Sequence, residues 1–322
     1  MRPLGRTPRF ARLLVAAGLL TALLAGVGGG AARATGTGGT RIVARNPDGN
    51  YIVPGVLGGV VYRRTGGASV SLDAYLQRRG EARPAVVVVH GGGWTSGSRI
   101  ARVGQLLELL TVAGFSWFSI DYRQTPEYRH PDQLDDLRRA IRFVRHHARR
   151  FRVDPDRLAA IGESASGQMV AQLAARPCEG RDAAPDPVDR EPRSVAAVVS
   201  FYGVYDFLPM VQDASPRSLL ARLFGRTTLD EEARRLLRRY SPLHQAHRAM
   251  PPMLLVHGTD ERLWEQGVAF ARRLEEAGVD HELLRLDGAP HGMENWEGRP
   301  EWSGYKRKLV EWLERKLANG GR

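Results

Sequence analysis

The chain has 322 residues, of which 43% are hydrophobic and 25% are charged, so it is long enough for one large globular domain, or at most two. A core of this size folds without covalent staples, and the single cysteine, Cys178, excludes a disulfide framework within the chain. The formal net charge of +12 favours an acidic partner, but the arginines are spread along the whole sequence without a nucleic-acid-binding motif, so we expect no nucleic acid partner.

The first 34 residues have the pattern of an export signal. A positive front precedes the apolar stretch 13–27, which is short for a membrane span, and Ala32-Arg33-Ala34 then forms an A-x-A cleavage site. The positive front consists of Arg2, Arg6, Arg9 and Arg12. We therefore expect a signal peptide over residues 1–34 and a secreted or periplasmic mature chain that begins near Thr35, without stable membrane insertion. The alternative is an uncleaved N-terminal anchor.

Two short strands follow, joined by a hairpin signal. Residues 56–62 and 69–76 are rich in apolar and β-branched side chains and flank Gly66-Gly67, and the second stretch alternates apolar with polar positions. This pattern predicts antiparallel strands at one edge of a sheet.

Buried strands and amphipathic helices then alternate. A continuous run of β-branched residues at 84–89 and an apolar run at 115–120 are typical of strands buried on both faces, and further strands are predicted at residues 157–161, 195–201, 253–256 and 282–286. Helical spacing occurs between and after them at residues 100–113, 131–148, 168–175, 264–277 and 305–317. Residues 154–156, Asp-Pro-Asp, predict a turn. The alternation predicts an α/β fold with a mostly parallel central sheet and helices on both faces.

Residues 207–250 interrupt this alternation. They hold helical patches at 218–224 and 230–239 and lie between two predicted strands. We therefore predict one domain over residues 35–322, in which residues 207–250 form a small helical cap over the sheet edge.

The stretch Gly162-Glu163-Ser164-Ala165-Ser166-Gly167 lies between a predicted strand and a predicted helix. A strand, a tight turn of small residues and a helix are the context of a nucleophile elbow, in which one hydroxyl projects above the sheet edge. The register of the G-x-S-x-G pattern makes Ser164 the candidate nucleophile. Ser166 stands where the pattern has its second glycine, and Gly167 comes one residue later. A structural turn without chemistry is the alternative interpretation.

A glycine-rich loop, His90-Gly91-Gly92-Gly93, follows the first buried strand. Glycines allow backbone N–H groups to point into a cavity, where they can stabilise the oxyanion of a tetrahedral intermediate. We predict an oxyanion hole formed by the N–H groups of Gly92, Gly93 and Ala165. His90 is expected to hold the loop by hydrogen bonding rather than to transfer a proton. The alternative is a plain glycine turn between a strand and a helix.

A serine nucleophile needs a base and an orienting carboxylate. His291, in a loop directly after the last predicted strand, is the candidate base that takes the Ser164 proton and returns it to the leaving group. The chain order Ser, acid, His places the acid after the penultimate predicted strand, where Asp260 and Glu261 compete. Asp260 is slightly favoured because aspartate needs less room in a tight turn, and Asp206 is a distant third.

No residue pattern indicates a metal or another cofactor, so we expect none. His244 and His247 could meet across one helical turn, but no third ligand or H-E-x-x-H pattern accompanies them. Several aromatic residues near the motif loops are candidates for lining an acyl or sugar pocket: Trp94, Tyr122, Tyr202, Tyr205, Trp264 and Trp296.

Together these motifs resemble those of α/β-hydrolases of the esterase/lipase type. The resemblance is closest to the bacterial feruloyl-esterase-like subgroup, BD-FAE, near the hormone-sensitive-lipase-like esterases. The matching segments are residues 90–94, 121–123, 126–127, 154–157, 162–165, 202–206, 241–243, 257–259 and 291–292. The resemblance spans roughly residues 60–316 and departs at Ser166 and in the compressed stretch after Thr259.

The resemblance implies an α/β-hydrolase fold and a serine carboxylic-ester hydrolase that works through an acyl-enzyme, without a cofactor. It implies a small-molecule or carbohydrate ester as substrate, since some members are similar to deacetylases or feruloyl esterases that act on plant polysaccharide. A peptidase or lactonase on the same fold remains an alternative, because a fold does not fix its substrate. A non-catalytic binding protein of this fold is the other alternative, against which the intact Ser-acid-His set argues.

Overall fold

An eight-stranded sheet forms the centre of the chain. The computed structural model describes residues 55–65, 67–77, 81–176, 183–211 and 218–318. The strands are β1 Val56–Thr65, β2 Ala68–Tyr75, β3 Arg83–Val89, β4 Ser116–Ile120, β5 Val153–Glu163, β6 Ala197–Phe201, β7 Met253–Asp260 and β8 His281–Pro290. Their order across the sheet is β1-β2-β4-β3-β5-β6-β7-β8. β2 pairs antiparallel with β1 and β4, and the other neighbours are parallel, which confirms the predicted sheet.

The composition of β3 explains its place at the centre. Its β-branched side chains favour extended backbone, and successive side chains point to opposite faces of the sheet. Val87 and Val89 enter one apolar cluster, whereas Val86 and Val88 enter a second one, and all four are buried. Because both faces of the strand are covered, its sequence is a continuous apolar run rather than an alternating one.

Helices cover both faces of the sheet, as predicted. They are α1 Gly104–Val112, α2 His130–His146, α3 Ala148–Phe151, α4 Ala165–Ala174, α5 Pro187–Arg190, α6 Leu219–Phe224, α7 Glu231–Tyr240, α8 Trp264–Glu276 and α9 Pro300–Leu317. Apolar side chains of α2, α4 and α8 join the cluster that holds Val87, and those of α1 and α9 join the cluster that holds Val86. The sheet is therefore the middle of three layers.

The described part of residues 207–250 contains two α-helices, at the two positions where the sequence predicts helical patches. It contains α6 and α7 between the short 3₁₀ turns Leu208–Met210 and Pro242–His244. Ser218 and Asp230 begin the two helices, because their side chains accept hydrogen bonds from backbone N–H groups of the first turn.

Hydrogen bonds attach this segment to the helices below it. The Arg129 guanidinium, directly before α2, donates to the carbonyl oxygens of Ala221 at 3.1 Å and Arg222 at 3.0 Å. Gln168 of α4 donates from Nε2 to the carbonyl oxygen of Tyr240 at 2.8 Å. The role of the segment as a cap stays a prediction.

Two local expectations were wrong. The predicted turn at residues 154–156 lies inside β5. Arg83 and Ala85 of β3 are paired with Val153 and Leu158 of β5, so β5 has extra residues between these two pairs. The extra residues form a bulge that accommodates the proline. The helix predicted from residue 100 begins only at Gly104. Arg102 has a φ of 64°, a left-handed conformation that cannot continue an α-helix.

Arginines of α2 are paired with carboxylates rather than forming a free basic stripe. Arg139 lies 3.1 Å from Asp189, Arg145 lies 3.4 Å from Asp156, and Arg142 is buried. The described ranges contain no helix that is both long and apolar enough to cross a membrane. The predicted export signal and Cys178 fall outside the residues that the structure describes.

Candidate active site

The nucleophile elbow lies between β5 and α4. Ser164 has φ 52° and ψ −114°, a sparsely populated conformation for a non-glycine residue, and its N–H donates to the carbonyl oxygen of Phe201 at 2.9 Å. The turn is crowded, since a Cβ on Gly162 would lie 2.3 Å from the carbonyl oxygen of Ser166. These constraints fix the backbone so that the Ser164 hydroxyl faces the cavity described below.

Ser166 fits the position where the elbow pattern has glycine because its hydroxyl is used inside the turn. The hydroxyl oxygen accepts a hydrogen bond from the Glu163 N–H at 2.9 Å, and the hydroxyl lies 2.7 Å from the Val89 carbonyl oxygen, to which it donates. Ser166 is fully buried. The departure from the pattern therefore ties β5 to β3 instead of disturbing the elbow.

His291 stands between Ser164 and a carboxylate. Its Nε2 lies 3.0 Å from Ser164 Oγ, and its Nδ1 lies 2.6 Å from Glu261 Oε2. The Asn295 side chain donates to the His291 carbonyl oxygen at 2.7 Å, and the Tyr202 ring centroid is 4.6 Å from the imidazole centroid. Residues from the ends of β5, β7 and β8 thus meet at the carboxyl edge of the sheet, as expected for an open α/β fold.

The structure brings Glu261, and not the slightly favoured Asp260, against His291. The side chain of Glu261 is 1% exposed, whereas Asp260 is exposed to solvent at the last position of β7. Asp206 lines the same cavity as Ser164, but its Oδ1 accepts from the Leu208 N–H at 3.0 Å and stabilises a 3₁₀ turn. The turn after β7 has room for the longer side chain, so the steric reason for preferring Asp260 does not apply.

The hydrogen bonds of Glu261 keep its carboxylate ionised. Burial alone raises the pKa of this carboxyl, but the hydrogen bonds from His257 and His291 outweigh burial and hold its pKa below the usual range. An ionised carboxylate only accepts hydrogen bonds, so the proton of neutral His291 lies on Nδ1. Nε2 then presents a lone pair to the hydroxyl of Ser164, which is the arrangement that a general base requires.

The glycine loop before Trp94 is positioned by hydrogen bonds that leave one glycine facing the cavity. The Gly91 N–H donates to Glu163 Oε1 at 3.1 Å, and the Gly92 carbonyl oxygen accepts from the N–H groups of Thr95 and Ser96 at 3.1 Å each. Gly92 has a φ of 111°, which other residues rarely adopt. Gly93 lines the cavity beside the nucleophile.

The three predicted oxyanion-hole residues therefore differ in placement. Gly93 lines the cavity together with Ser164. Gly92 and Ala165 lie in the part of the chain that the structure describes, but they are not among the residues that line the cavity. Ala165 is the first residue of α4, where backbone N–H groups have no partner within the helix. His90 stacks on Tyr122 with ring centroids 4.4 Å apart, and its Nδ1 lies 2.7 Å from the Gly91 carbonyl oxygen, in keeping with the predicted supporting role.

A buried network behind the elbow was not foreseen from the sequence. Glu163 accepts at Oε2 from the Tyr202 hydroxyl at 2.8 Å, and that hydroxyl accepts from the Met293 N–H at 2.8 Å. Burial raises the pKa of the Glu163 carboxyl. The network links the loop of Gly91 to the loop that carries His291. The sequence offers Glu163 and Tyr202 as motif residues, but no spacing indicates that they meet.

A cavity of about 1160 Å³ opens in front of Ser164. Its lining combines the site side chains with apolar and charged ones. Of the aromatic residues predicted to line a pocket, Trp94 and Tyr205 do so. The apolar lining includes Val204, Met210, Val211, Leu219, Leu243 and Leu263, and the charged lining includes Asp206, Arg222, Asp260, Arg262 and Glu265. Within the residues that the structure describes, no group of three or more His, Cys, Asp or Glu side chains could hold a metal ion.

Comparison with known sequences identifies relatives of this chain. The family model described as BD-FAE matches residues 72–274. Esterase LipC of Mycobacterium tuberculosis (strain ATCC 25618 / H37Rv) is 31% identical over an alignment of 236 residues that covers 70% of this chain and 58% of LipC. The chain spans between 42% and 66% of the length of the first three curated relatives that it matches.

Solved structures resemble the fold over most of its length. An acetyl ester-xyloside bifunctional hydrolase from Caldicellulosiruptor lactoaceticus has a TM-score of 0.69 at 25% identity, with 78% of this chain and 89% of that chain covered. Native esterase 2 of Thermogutta terrifontis has a TM-score of 0.65 at 29% identity, with 84% and 96% covered, and a structure of that esterase phosphorylated by paraoxon also matches.

These neighbours are esterases of the α/β-hydrolase fold, which is also the fold of the sheet and helices described above. The family match covers more than half of the 322 residues, including the elbow and the strands on either side of it. We conclude that the chain belongs to the BD-FAE family.

Proposed function

We propose that this chain is a serine hydrolase that cleaves carboxylic esters through an acyl-enzyme. The observation that carries the proposal is the position of His291, with Nε2 at 3.0 Å from Ser164 Oγ and Nδ1 at 2.6 Å from Glu261 Oε2. This is the hydrogen-bond pattern of a nucleophile, a base and an orienting acid. The names of the relatives, which include esterases, support the same reaction.

The proposed reaction begins when Ser164 Oγ forms a bond to the ester carbonyl carbon and its proton passes to His291 Nε2. The N–H groups of Gly93 and Ala165, with Gly92 as the third candidate, stabilise the oxyanion that develops. The bond to the alcohol oxygen then breaks, and the alcohol takes the proton from His291. Water attacks the acyl-enzyme by the same route, which releases the carboxylic acid and restores Ser164.

We also propose a polar ester, such as an acylated carbohydrate, as the substrate class. The cavity joins an apolar wall around Met210 and Leu219 to charged side chains such as Arg222 and Glu265. An acyl chain can contact the apolar wall, and the hydroxyl groups of a sugar can hydrogen-bond to the charged side chains. The solved neighbour named an acetyl ester-xyloside bifunctional hydrolase is consistent with this class.

Hydrolysis of an ester series by the purified domain tests the proposed reaction. Acetyl, butyryl and feruloyl esters of one alcohol, together with acetylated xylose, report the acyl preference and the effect of a sugar. Ser164→Ala should lower kcat by roughly 10³- to 10⁶-fold, because removal of the nucleophile leaves only residual catalysis. Ser303→Ala, on the exposed face of α9, is the control and should match the wild type. Unchanged turnover in Ser164→Ala would exclude the proposed nucleophile.

Export is a separate part of the proposal and rests on the sequence of residues 1–34. Expression of the full chain in a bacterial host, followed by mass spectrometry of the N-terminus in the extracytoplasmic fraction, is the direct test. We expect a mature chain that begins near Thr35. Recovery of the uncleaved chain in the membrane fraction would instead favour the N-terminal anchor.

A further inference from the structure

Glu261 has two imidazole partners, and only one of them belongs to the proposed triad. Its Oε2 lies 2.6 Å from His291 Nδ1, and its Oε1 lies 2.9 Å from Nδ1 of His257. The side chains of Glu261 and His257 are 1% and 0% exposed, so water does not replace the contact between them. Since an unpaired oxygen of a buried carboxylate is costly, the second imidazole satisfies a requirement of the site.

The geometry defines the protonation of His257. The ionised carboxylate only accepts, so the hydrogen of the imidazole lies on Nδ1, and Nε2 faces the Tyr205 hydroxyl at 3.3 Å. That hydroxyl lies 2.8 Å from Ser200 Oγ, which lies 3.0 Å from the Gly167 carbonyl oxygen. Ser200 uses its one hydroxyl hydrogen at the Gly167 carbonyl oxygen, so Tyr205 donates its own hydrogen to Ser200, and the Tyr205 oxygen contacts His257 Nε2 without a hydrogen bond.

The helix beside His257 leaves space that its ring fills. A Cβ on Gly267 of α8 would lie 2.8 Å from Nε2 and 2.9 Å from Cδ2 of His257, closer than real contacts allow. On the same side, the Trp264 ring centroid lies 6.3 Å from the imidazole centroid. The hydrogen bond at Nδ1 and close packing on one face hold the imidazole in one orientation.

We propose that His257 is a positioning residue, whose Nδ1–H fixes one oxygen of Glu261 so that the other oxygen points at His291. The inference rests on the proposed function and extends it from three side chains to four. His257 touches neither the substrate nor the reacting atoms. It acts through the acid, to which its Nδ1–H donates at 2.9 Å.

A glutamate needs such support more than an aspartate does. It has one more rotatable bond, so more side-chain conformations must be excluded before its carboxylate faces His291 in one orientation. Catalysis depends on this orientation when His291 takes the Ser164 proton, because a preorganised carboxylate stabilises the imidazolium without moving. The predicted consequence is a lower kcat, with little change in substrate binding, when the His257 donor is removed.

Two substitutions separate the donor from the volume of the side chain. His257→Asn keeps an N–H donor at about the place of Nδ1, whereas His257→Leu fills the space without a donor. We expect His257→Leu to lower kcat about 10- to 100-fold with KM within about twofold of wild type, and His257→Asn to retain most of kcat. His281→Leu, in β8 and away from the acid, is the matched control and should keep the wild-type kcat. Equal kcat values for His257→Leu and wild type would overturn the proposal.

A double-mutant cycle with Glu261→Ala distinguishes positioning from a general structural role. If His257 acts through Glu261, then His257→Leu should change the residual kcat less than about twofold once the carboxylate is absent. The same fractional loss in both backgrounds would mean that His257 only supports the fold, and the proposal would fail. The labelling rate of Ser164 with a fluorophosphonate provides a second readout where the residual turnover is small.

Gly267→Ala keeps the proposal testable if His257→Leu does not fold. Alanine favours the helix α8, yet its Cβ would displace the imidazole, so we expect a folded protein with a reduced kcat. Full activity of Gly267→Ala would contradict the proposal. Each variant is compared with a wild-type protein that has first been shown to hydrolyse esters and to be labelled at Ser164 by the fluorophosphonate. Failure of that first step refutes the proposed function, whereas an active wild type with unaffected variants refutes only the role of His257.

Discussion

Glu261 and Asp260 are neighbours in sequence but lie in different surroundings. Asp260 ends β7 on the exposed side of the cavity, whereas the Glu261 carboxylate is buried between His257 and His291. The sequence alone did not separate them, because the choice depends on the room available in the turn. That room depends on the pairing of β7 with β8, whose register shifts between Gly258 and Asp260, and the local sequence pattern does not encode this pairing.

The pair Glu261→Gln and Asp260→Asn therefore makes a matched test of the acid. Each substitution removes one charge and keeps the shape of the side chain. Glu261→Gln should lower kcat by about 10³- to 10⁴-fold, because an amide no longer holds His291 in the tautomer with its proton on Nδ1. Asp260→Asn should stay within about threefold of wild type, because screened surface charges contribute little. Steady-state kinetics on one ester are sufficient, and the reverse order of effects would reassign the acid.

Other residue-scale features differ in how far the sequence predicts them. Ser164 and His291 follow from local patterns, because an elbow and a loop after the last strand are recognisable in the chain. The contact of His257 with Glu261, four residues later, depends on how the chain turns after β7, whereas the contact of Glu163 with Tyr202 joins side chains whose meeting depends on strand order. No periodicity or motif spacing encodes that meeting.

At the scale of elements, the elbow depends on the contact between β5 and β3. The Ser166 hydroxyl bridges the Glu163 N–H and the Val89 carbonyl oxygen inside the sheet, with no exposure to water. Buried backbone groups without partners cost free energy, so this one hydroxyl contributes to the stability of the turn that presents Ser164.

Ser166→Ala should therefore reduce the free energy of unfolding by about 1–3 kcal/mol, because it leaves the Glu163 N–H without the Ser166 acceptor in a buried turn. Urea denaturation followed by circular dichroism measures the change. Ser303→Ala removes a hydroxyl that bonds to Pro300 on the exposed start of α9 and should change the stability by less than about 0.5 kcal/mol. Equal stabilities of Ser166→Ala and wild type would show that the hydroxyl is not needed in the turn.

The sequence predicts elements well where the period is strong and less well where a backbone irregularity intervenes. The apolar run of β3 and the amphipathic spacing of α8 were placed within one or two residues. The bulge that accommodates the proline of β5 and the left-handed conformation of Arg102 before α1 are local backbone irregularities. Such events depend on pairing and packing rather than on the local pattern.

For the whole molecule, buried histidines link stability to pH. Burial lowers the pKa of His90, His130 and His257, and it lowers the pKa of His130 to about 3. The Gln133 side chain favours the protonated form of His130, but burial outweighs it. The His130 ring is enclosed by the aromatic rings of Trp94, Phe207, Phe224 and Tyr240.

The direction of the pH effect follows from the lowered pKa. Between the ordinary pKa of 6.5 and about 3, the unfolded chain binds a proton at His130 that the folded protein does not bind. This contribution to stability is complete above pH 6.5 and is lost as the pH falls, by about 1.4 kcal/mol per pH unit at most.

His130→Phe should weaken this dependence on pH. Wild-type stability should fall by about 1–3 kcal/mol more than that of the variant between pH 6.5 and pH 4.5, because phenylalanine binds no proton. Urea unfolding at several pH values gives the slope of the free energy of unfolding against pH for each protein. Comparing the two slopes removes any constant difference in packing between histidine and phenylalanine. Parallel curves for His130→Phe and wild type would contradict the prediction.

The most direct test of the account is covalent labelling of the folded protein with a fluorophosphonate, followed by mass spectrometric mapping of the modified peptide. Such a probe reacts with a serine hydroxyl only when a base and an oxyanion hole activate it. We predict one adduct, on Ser164, formed by the wild type and by Asp260→Asn and strongly slowed by Glu261→Gln. A folded protein that gives no adduct, or an adduct on another serine, would contradict the proposed active site.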